Sequence, residues 1–170
     1  MPTSTEVAIA TTTLSSAAAS ITFSGIPATY TDLRLVWFSN NTRSGGGGYQ
    51  VLLNGDSGAN YSQTTLRGDG TSVSSSRITN ANQIDGWLDQ YGSAIPNNFL
   101  LGTYDFFSYA GSTNKTCLVT GSYDYNGSGS VIRFVNLWRS TTAINSITFN
   151  AIFSGTNFAA GTTATLYGIL

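Results

Sequence analysis

The carboxylates are the residues of this chain best suited to chemistry, and they are few. Asp85 and Asp89 are the closest pair, with Trp87 between them. A glycosidase needs two carboxylates held about 5–10 Å apart in a cleft; outside a cleft the same pair reads as solvated loop aspartates. Asp56, Asp69, Asp85, Asp89, Asp105 and Asp124 can offer oxygens to a hard cation. Calcium, however, needs about six to eight oxygens converging on one point, and no segment has the alternating acidic spacing of a calcium loop. Arg67-Gly68-Asp69 is the tripeptide that adhesive loops display, and it is also ordinary turn chemistry. The chain has no histidine and one cysteine. Its only lysine is Lys115 and its only glutamate is Glu6. Acid–base, nucleophilic and metal sites draw on these residue types. The sequence therefore predicts no enzyme, no catalytic residue, no metal and no cofactor. Cys117, in the apolar run Cys117-Leu118-Val119, reads as a small core hydrophobe.

Aromatic rings are the remaining candidates for recognition, because the apolar faces of sugar rings stack on exposed aromatics. Tyr49, Tyr61, Trp87, Tyr91, Tyr123 and Tyr125 lie beside expected loops and are the candidate glycan or partner contacts. Most of the other aromatics belong in the core.

These residues must be positioned by strands. A chain of 170 residues fits one domain, 1–170, and buries roughly 70% of its unfolded surface without a disulfide. Ser20-Ile21-Thr22-Phe23 alternates cleanly and breaks at Gly25-Ile26-Pro27. Leu33, Leu35 and Trp37 share one face of the next strand. Gly45-Gly46-Gly47-Gly48 reads as a flexible loop tip. A strand from Tyr49 to Leu53 stops at Asn54-Gly55, which supplies the positive φ of a tight hairpin. Residues 71–98 carry no clear pattern. Phe99 to Tyr109 has apolar residues on both faces, which predicts burial between two layers. Ile132, Phe134 and Trp138 share one face of a strand that opposes Val131, Val135 and Leu137. Ile147, Phe149, Ala151 and Phe153 alternate, and a last strand runs from Thr162 to Leu170. Eight to ten strands with Gly/Asn/Ser turns predict an all-β sandwich or barrel, and the long strands with residues facing both ways favour an antiparallel two-sheet sandwich, jelly-roll-like.

Charged residues make up 9% of the chain and the net charge is −1. The basic residues are scattered from Arg34 to Arg139 without the patch that nucleic acid requires, so no nucleic-acid partner is expected. No stretch reaches the roughly 18 apolar residues of a membrane helix. Met1-Pro2-Thr3-Ser4-Thr5-Glu6 does not resemble a secretory signal, so synthesis and folding in the cytoplasm are expected.

Several phrases resemble a domain of phage and cyanophage structural proteins. They are Phe23-Ser24-Gly25-Ile26-Pro27-Ala28-Thr29-Tyr30-Thr31-Asp32-Leu33-Arg34-Leu35, Leu53-Asn54-Gly55-Asp56-Ser57-Gly58-Ala59-Asn60-Tyr61, Trp138-Arg139-Ser140-Thr141-Thr142-Ala143-Ile144 and Leu166-Tyr167-Gly168-Ile169. The resemblance implies a virion-exterior protein made in the host cytoplasm, with a jelly-roll-like fold and no catalytic motif. It implies either head decoration or part of a tail fibre; the lack of heptads and repeats favours a capsid decoration or cement subunit, expected as a homotrimer contacting the major capsid protein or other virion subunits. The alternative is a tail-fibre or receptor-binding module that recognises host surface glycan. The scarcity of lysine and glutamate suits extensive protein contact, since both are depleted at interfaces.

Overall fold

A computed structural model describes residues 5–43, 46–91, 99–124, 126–152 and 155–170; the side chains of 46, 47 and 87–91 lie outside that description. The described residues form twelve strands, more than the eight to ten expected. They are β1 (Glu6–Thr13), β2 (Ser20–Ser24), β3 (Asp32–Ser39), β4 (Gly46–Leu53), β5 (Tyr61–Gly68) and β6 (Val73–Ala81), followed by β7 (Ile84–Tyr91), β8 (Leu100–Phe107), β9 (Lys115–Asp124), β10 (Gly129–Trp138), β11 (Ser146–Ala151) and β12 (Thr163–Ile169). All pairings are antiparallel.

The topology is nested. β1 pairs with β12, β2 with β11, β3 with β8 and β4 with β7, and successive pairs alternate between two sheets. This is a jelly roll: one long antiparallel hairpin rolled into two facing layers, β1-β12-β3-β8 and β2-β11-β4-β7. Two hairpins are inserted, β5–β6 between β4 and β7, and β9–β10 between β8 and β11. They pair with each other and widen the first layer to eight strands, β1-β12-β3-β8-β9-β10-β5-β6. The second layer keeps four.

The core lies between the layers. Leu33, Leu35 and Trp37 of β3 are fully buried, as their shared face predicts. Trp37 packs edge-on against Tyr49 of β4 at 4.9 Å and against Phe149 of β11 at 5.8 Å, which ties one layer to the other. Phe158 stacks on Tyr49 at 5.4 Å and closes that end. Each fully buried side chain of this kind contributes about 1.5–3 kcal/mol. Ile132, Phe134 and Trp138 also face inward, while Val131 and Val135 face solvent. Cys117 is buried and unpaired among these residues, and burial pushes its thiol pKa well up.

Four expectations need correction or completion. Gly46–Gly48 is strand rather than loop: Gly46 and Gly47 pair with Tyr91 and Gln90 of β7, and the register slips between Gly47 and Tyr49. Glycine tolerates such a bulge, and the partner strands supply the order that propensity alone does not. Asn54 and Gly55 do have positive φ, 53° and 70°, but the turn makes no hairpin. It passes the chain from β4 in one sheet to β5 in the other, and Asn54 Oδ1 accepts the amides of Asn145 and Ser146 at 2.9 and 3.1 Å. Strand β8 is buried on one face only: Leu101 and Phe107 lie exposed on the other. Residues 71–91 contain β6 and β7; 92–98, the rest of that unclear region, lie outside the described residues, as does Phe153.

Candidate functional site

The aromatic platform expected from sequence does not assemble. Tyr49 and Tyr61 are fully buried, so neither offers a face to a sugar. Both sit on the inward phase of their strands. Tyr61 donates its hydroxyl to the Asp56 carbonyl at 2.9 Å and accepts the Leu53 amide at 3.3 Å. Burial pushes its pKa up to about 12. Tyr123 is half-buried against the core and lines a groove between the β5–β6 and β9–β10 turns. It faces Ser130 while Tyr61 faces Trp138, at opposite ends of β10 and so about 27 Å apart. The side chains of Trp87 and Tyr91, and Tyr125 altogether, lie outside the described residues.

The charged candidates are committed to structure. Asp69, the acid of the Arg-Gly-Asp tripeptide, accepts the Thr71 amide at 2.9 Å, the Ser72 amide at 2.7 Å and both hydroxyls. These bonds hold its pKa far below the usual carboxylate range and lock the turn. Asp56 accepts Trp138 Nε1 at 2.7 Å and the Gly58 amide at 2.9 Å. Desolvation raises its pKa, but the bonds from Trp138, Gly58 and Asn60 outweigh that and hold it low. Lys115 is buried, donating to the carbonyls of Gly111 and Thr113 at 2.7 and 2.5 Å, and burial lowers its pKa. Asp89, the partner of Asp85 in the sequence, has a side chain outside the described residues. Among the described residues no three His, Cys, Asp or Glu gather in a metal-binding group.

Two surfaces stand out instead. The first is the outer face of the eight-stranded sheet. Phe38, Leu101, Ser122, Val131, Gly68 and Val73 lie in register across β3, β8, β9, β10, β5 and β6. The four apolar members are 48%, 56%, 66% and 75% exposed in that order. Six strands at 4.8 Å spacing make this row about 24 Å wide. Leu66 and Val135 extend it on neighbouring rows, both more than half exposed. Phe38 stacks on Phe99 at 4.7 Å at one end. Towards the β3 end Arg34 bonds Asp105 at 2.6 Å and Glu6 at 2.7 Å, and the exposed Arg133 lies beside Leu66 in the adjoining row. Sequence pattern missed this face because its apolar residues alternate with Ser, Thr and Gly and show as a stripe only once the strands are in register.

The second surface is on the inner side, where the inserted hairpins outreach the smaller sheet. β6 is the edge strand and has solvent on both faces along most of its length. Its inward residues pair in rows with those of β5 and β10: Ile78–Gln63–Asn136, Ser76–Thr65–Phe134 and Ser74–Arg67–Ile132. Asp85, at the edge of β7, forms the wall above them. The resulting groove encloses about 280 Å³, near the lower end of small-ligand sites. Asp85 Oδ1 accepts Gln83 Nε2 at 2.7 Å, and Gln63 also bonds this carboxylate. Burial raises the Asp85 pKa against the pull of those two bonds. Gln63 is buried, yet its Oε1 has no hydrogen-bond partner.

No protein-family model, curated protein or solved structure matches this chain.

Proposed function

We propose that this chain is a non-enzymatic structural subunit of a phage virion, bound to the capsid exterior, where it cements the shell. The observation that carries the reading is the exposed apolar row on the outer face, Phe38, Leu101, Val131 and Val73 across six paired strands. A face of this kind costs free energy in water and gains it when covered. Its width suits one side of a standard interface, roughly 800 Å² per partner, once the flanking polar rows are included. A rigid sheet also loses little conformational entropy on docking. The resemblance of Phe23–Leu35, Leu53–Tyr61 and Trp138–Ile144 to phage structural domains supplies the partner: the major capsid protein. Assembly as a homotrimer follows from the three-fold axes of such shells. Cementing is then mass-action linkage, in which a subunit that binds only the intact shell stabilises it.

The test is reconstitution. Shells lacking the protein release their genome at lower temperature than complete ones, and purified protein restores resistance without any cofactor. Leu101→Asp with Val131→Asp abolishes the restoration while leaving the fold intact. Equal stability of bare and decorated shells refutes the reading. A second reading, a receptor-binding module for glycan, is favoured by one observation, the polar groove beneath Asp85.

A further inference from the structure

Resting on the glycan reading above and narrowing it, we infer that the groove between β5, β6, β10 and Asp85 is a binding site for a neutral saccharide chain, separate from the apolar outer face. The ground is the chemistry and shape of the groove together. A sugar hydroxyl donates one hydrogen bond and accepts others, so it is matched by a lining that mixes pure acceptors, pure donors and hydroxyls. Asp85 is a pure acceptor, the Arg67 guanidinium a pure donor, and Thr65, Ser74 and Ser76 serve in both senses. The apolar part of the lining is mainly Ile78, which is exposed at the rim; Ile132 and Phe134 close the bottom of the groove from the core and show only their edges. One carboxylate and one guanidinium balance, which disfavours both anionic and cationic ligands.

The polar groups are also preorganised. Gln83 and Gln63 hold the Asp85 carboxylate from the protein side. Arg67 Nε donates to Ser130 Oγ at 2.8 Å, which fixes the plane of the guanidinium. Gln63 Oε1 is buried, lacks a partner and belongs to a residue lining the groove. Three strands and three rows give a ledge about 10 Å by 13 Å, open along β6, which accepts a chain entering from the side.

The inner ledge and the outer face lie on opposite sides of the same strands, so either can operate without the other. The experiment uses the full chain and a panel of neutral hexasaccharides: maltohexaose, cellohexaose, xylohexaose, mannohexaose and N-acetylchitohexaose. Each is present at about 5 mM, enough to reveal millimolar affinity by ligand-observed saturation transfer. At least one is expected to bind. Ser76 is exposed on the edge strand, so Ser76→Trp fills the groove without threatening the fold and abolishes the signal. Asp85→Asn weakens binding at least about tenfold, the loss of a charged hydrogen bond. Ser24→Trp, the same bulk on the far edge of the smaller sheet, leaves binding unchanged. Failure of every panel member, or binding that survives both Ser76→Trp and Asp85→Asn, overturns the inference. Shell restoration measured on Ser76→Trp separates the two readings: restoration retained with sugar binding lost places the saccharide in the groove and the shell contact elsewhere.

Discussion

Gly102→Ala is the substitution that most directly interrogates the joint between the two layers. Gly102 sits opposite Trp37 in the β3–β8 ladder, and the indole lies over it. A methyl group there overlaps Trp37 Cζ2, lies 2.6 Å from Cε2 and lies 2.8 Å from the Thr120 carbonyl oxygen. The indole has no room to yield. It is 0% exposed and held by Tyr49 and Phe149. The Thr120 oxygen is backbone within a paired strand and cannot swing aside. Overpacking of this kind costs about 1–3 kcal/mol, and the rigidity of the neighbours puts it at the upper end. Replacing glycine returns about 0.4–1 kcal/mol by restricting the unfolded chain. The net loss is about 2 kcal/mol. For a domain of this size that lowers the Tm by about 4–8 °C. The assay is thermal unfolding followed by near-ultraviolet circular dichroism. Gly68→Ala is the control, because a methyl group at that β5 position meets nothing within 4 Å; it leaves the Tm unchanged or slightly raised. Adding Trp37→Phe to Gly102→Ala should give a loss smaller than the sum of the two single losses, since the smaller ring makes room for the methyl. An unchanged Tm in Gly102→Ala, or strict additivity in the double variant, refutes the account of this contact.

Other outcomes follow from the same structure. Phe134→Ala removes a ring that is 3% exposed and should cost about 3–5 kcal/mol in denaturant unfolding; an unchanged midpoint would show that its neighbours do not depend on it. Asp56 has a lowered folded-state pKa, so the stability it contributes is present above its ordinary value of 3.8 and lost as pH falls through the folded value. Asp56→Ala should therefore differ from the parent at pH 6 and converge with it in strong acid; a gap independent of pH contradicts the role of the charge. Asp85 has the opposite sign: burial raises its pKa, so its contribution is fully present below 3.8 and declines as pH rises through the folded value. Asp85→Asn should raise the Tm at pH 7 and not at pH 3, because it removes the buried charge; a lower Tm at pH 7 rules this out.

The β class, the inward face of Leu33, Leu35 and Trp37, and the opposition of Phe134 to Val135 were all legible in the sequence, because a strand alternates with period two whatever it pairs with. The buried fate of Cys117 was legible for the same reason. Long-range pairing was not. Nothing near Glu6 announces that β1 lies against β12, or that the β5–β6 and β9–β10 hairpins join to widen one sheet beyond the other. Each of the two surfaces depends on that mismatch or that register. Phe38 and Val73 are 35 residues apart and become one row only through four intervening strands. Tyr49 and Tyr61 look like loop aromatics in sequence, yet the packing of the layers turns both inward. Local sequence determines which way a side chain alternates; only the assembled sheets decide whether that side meets core, solvent or an uncovered ledge.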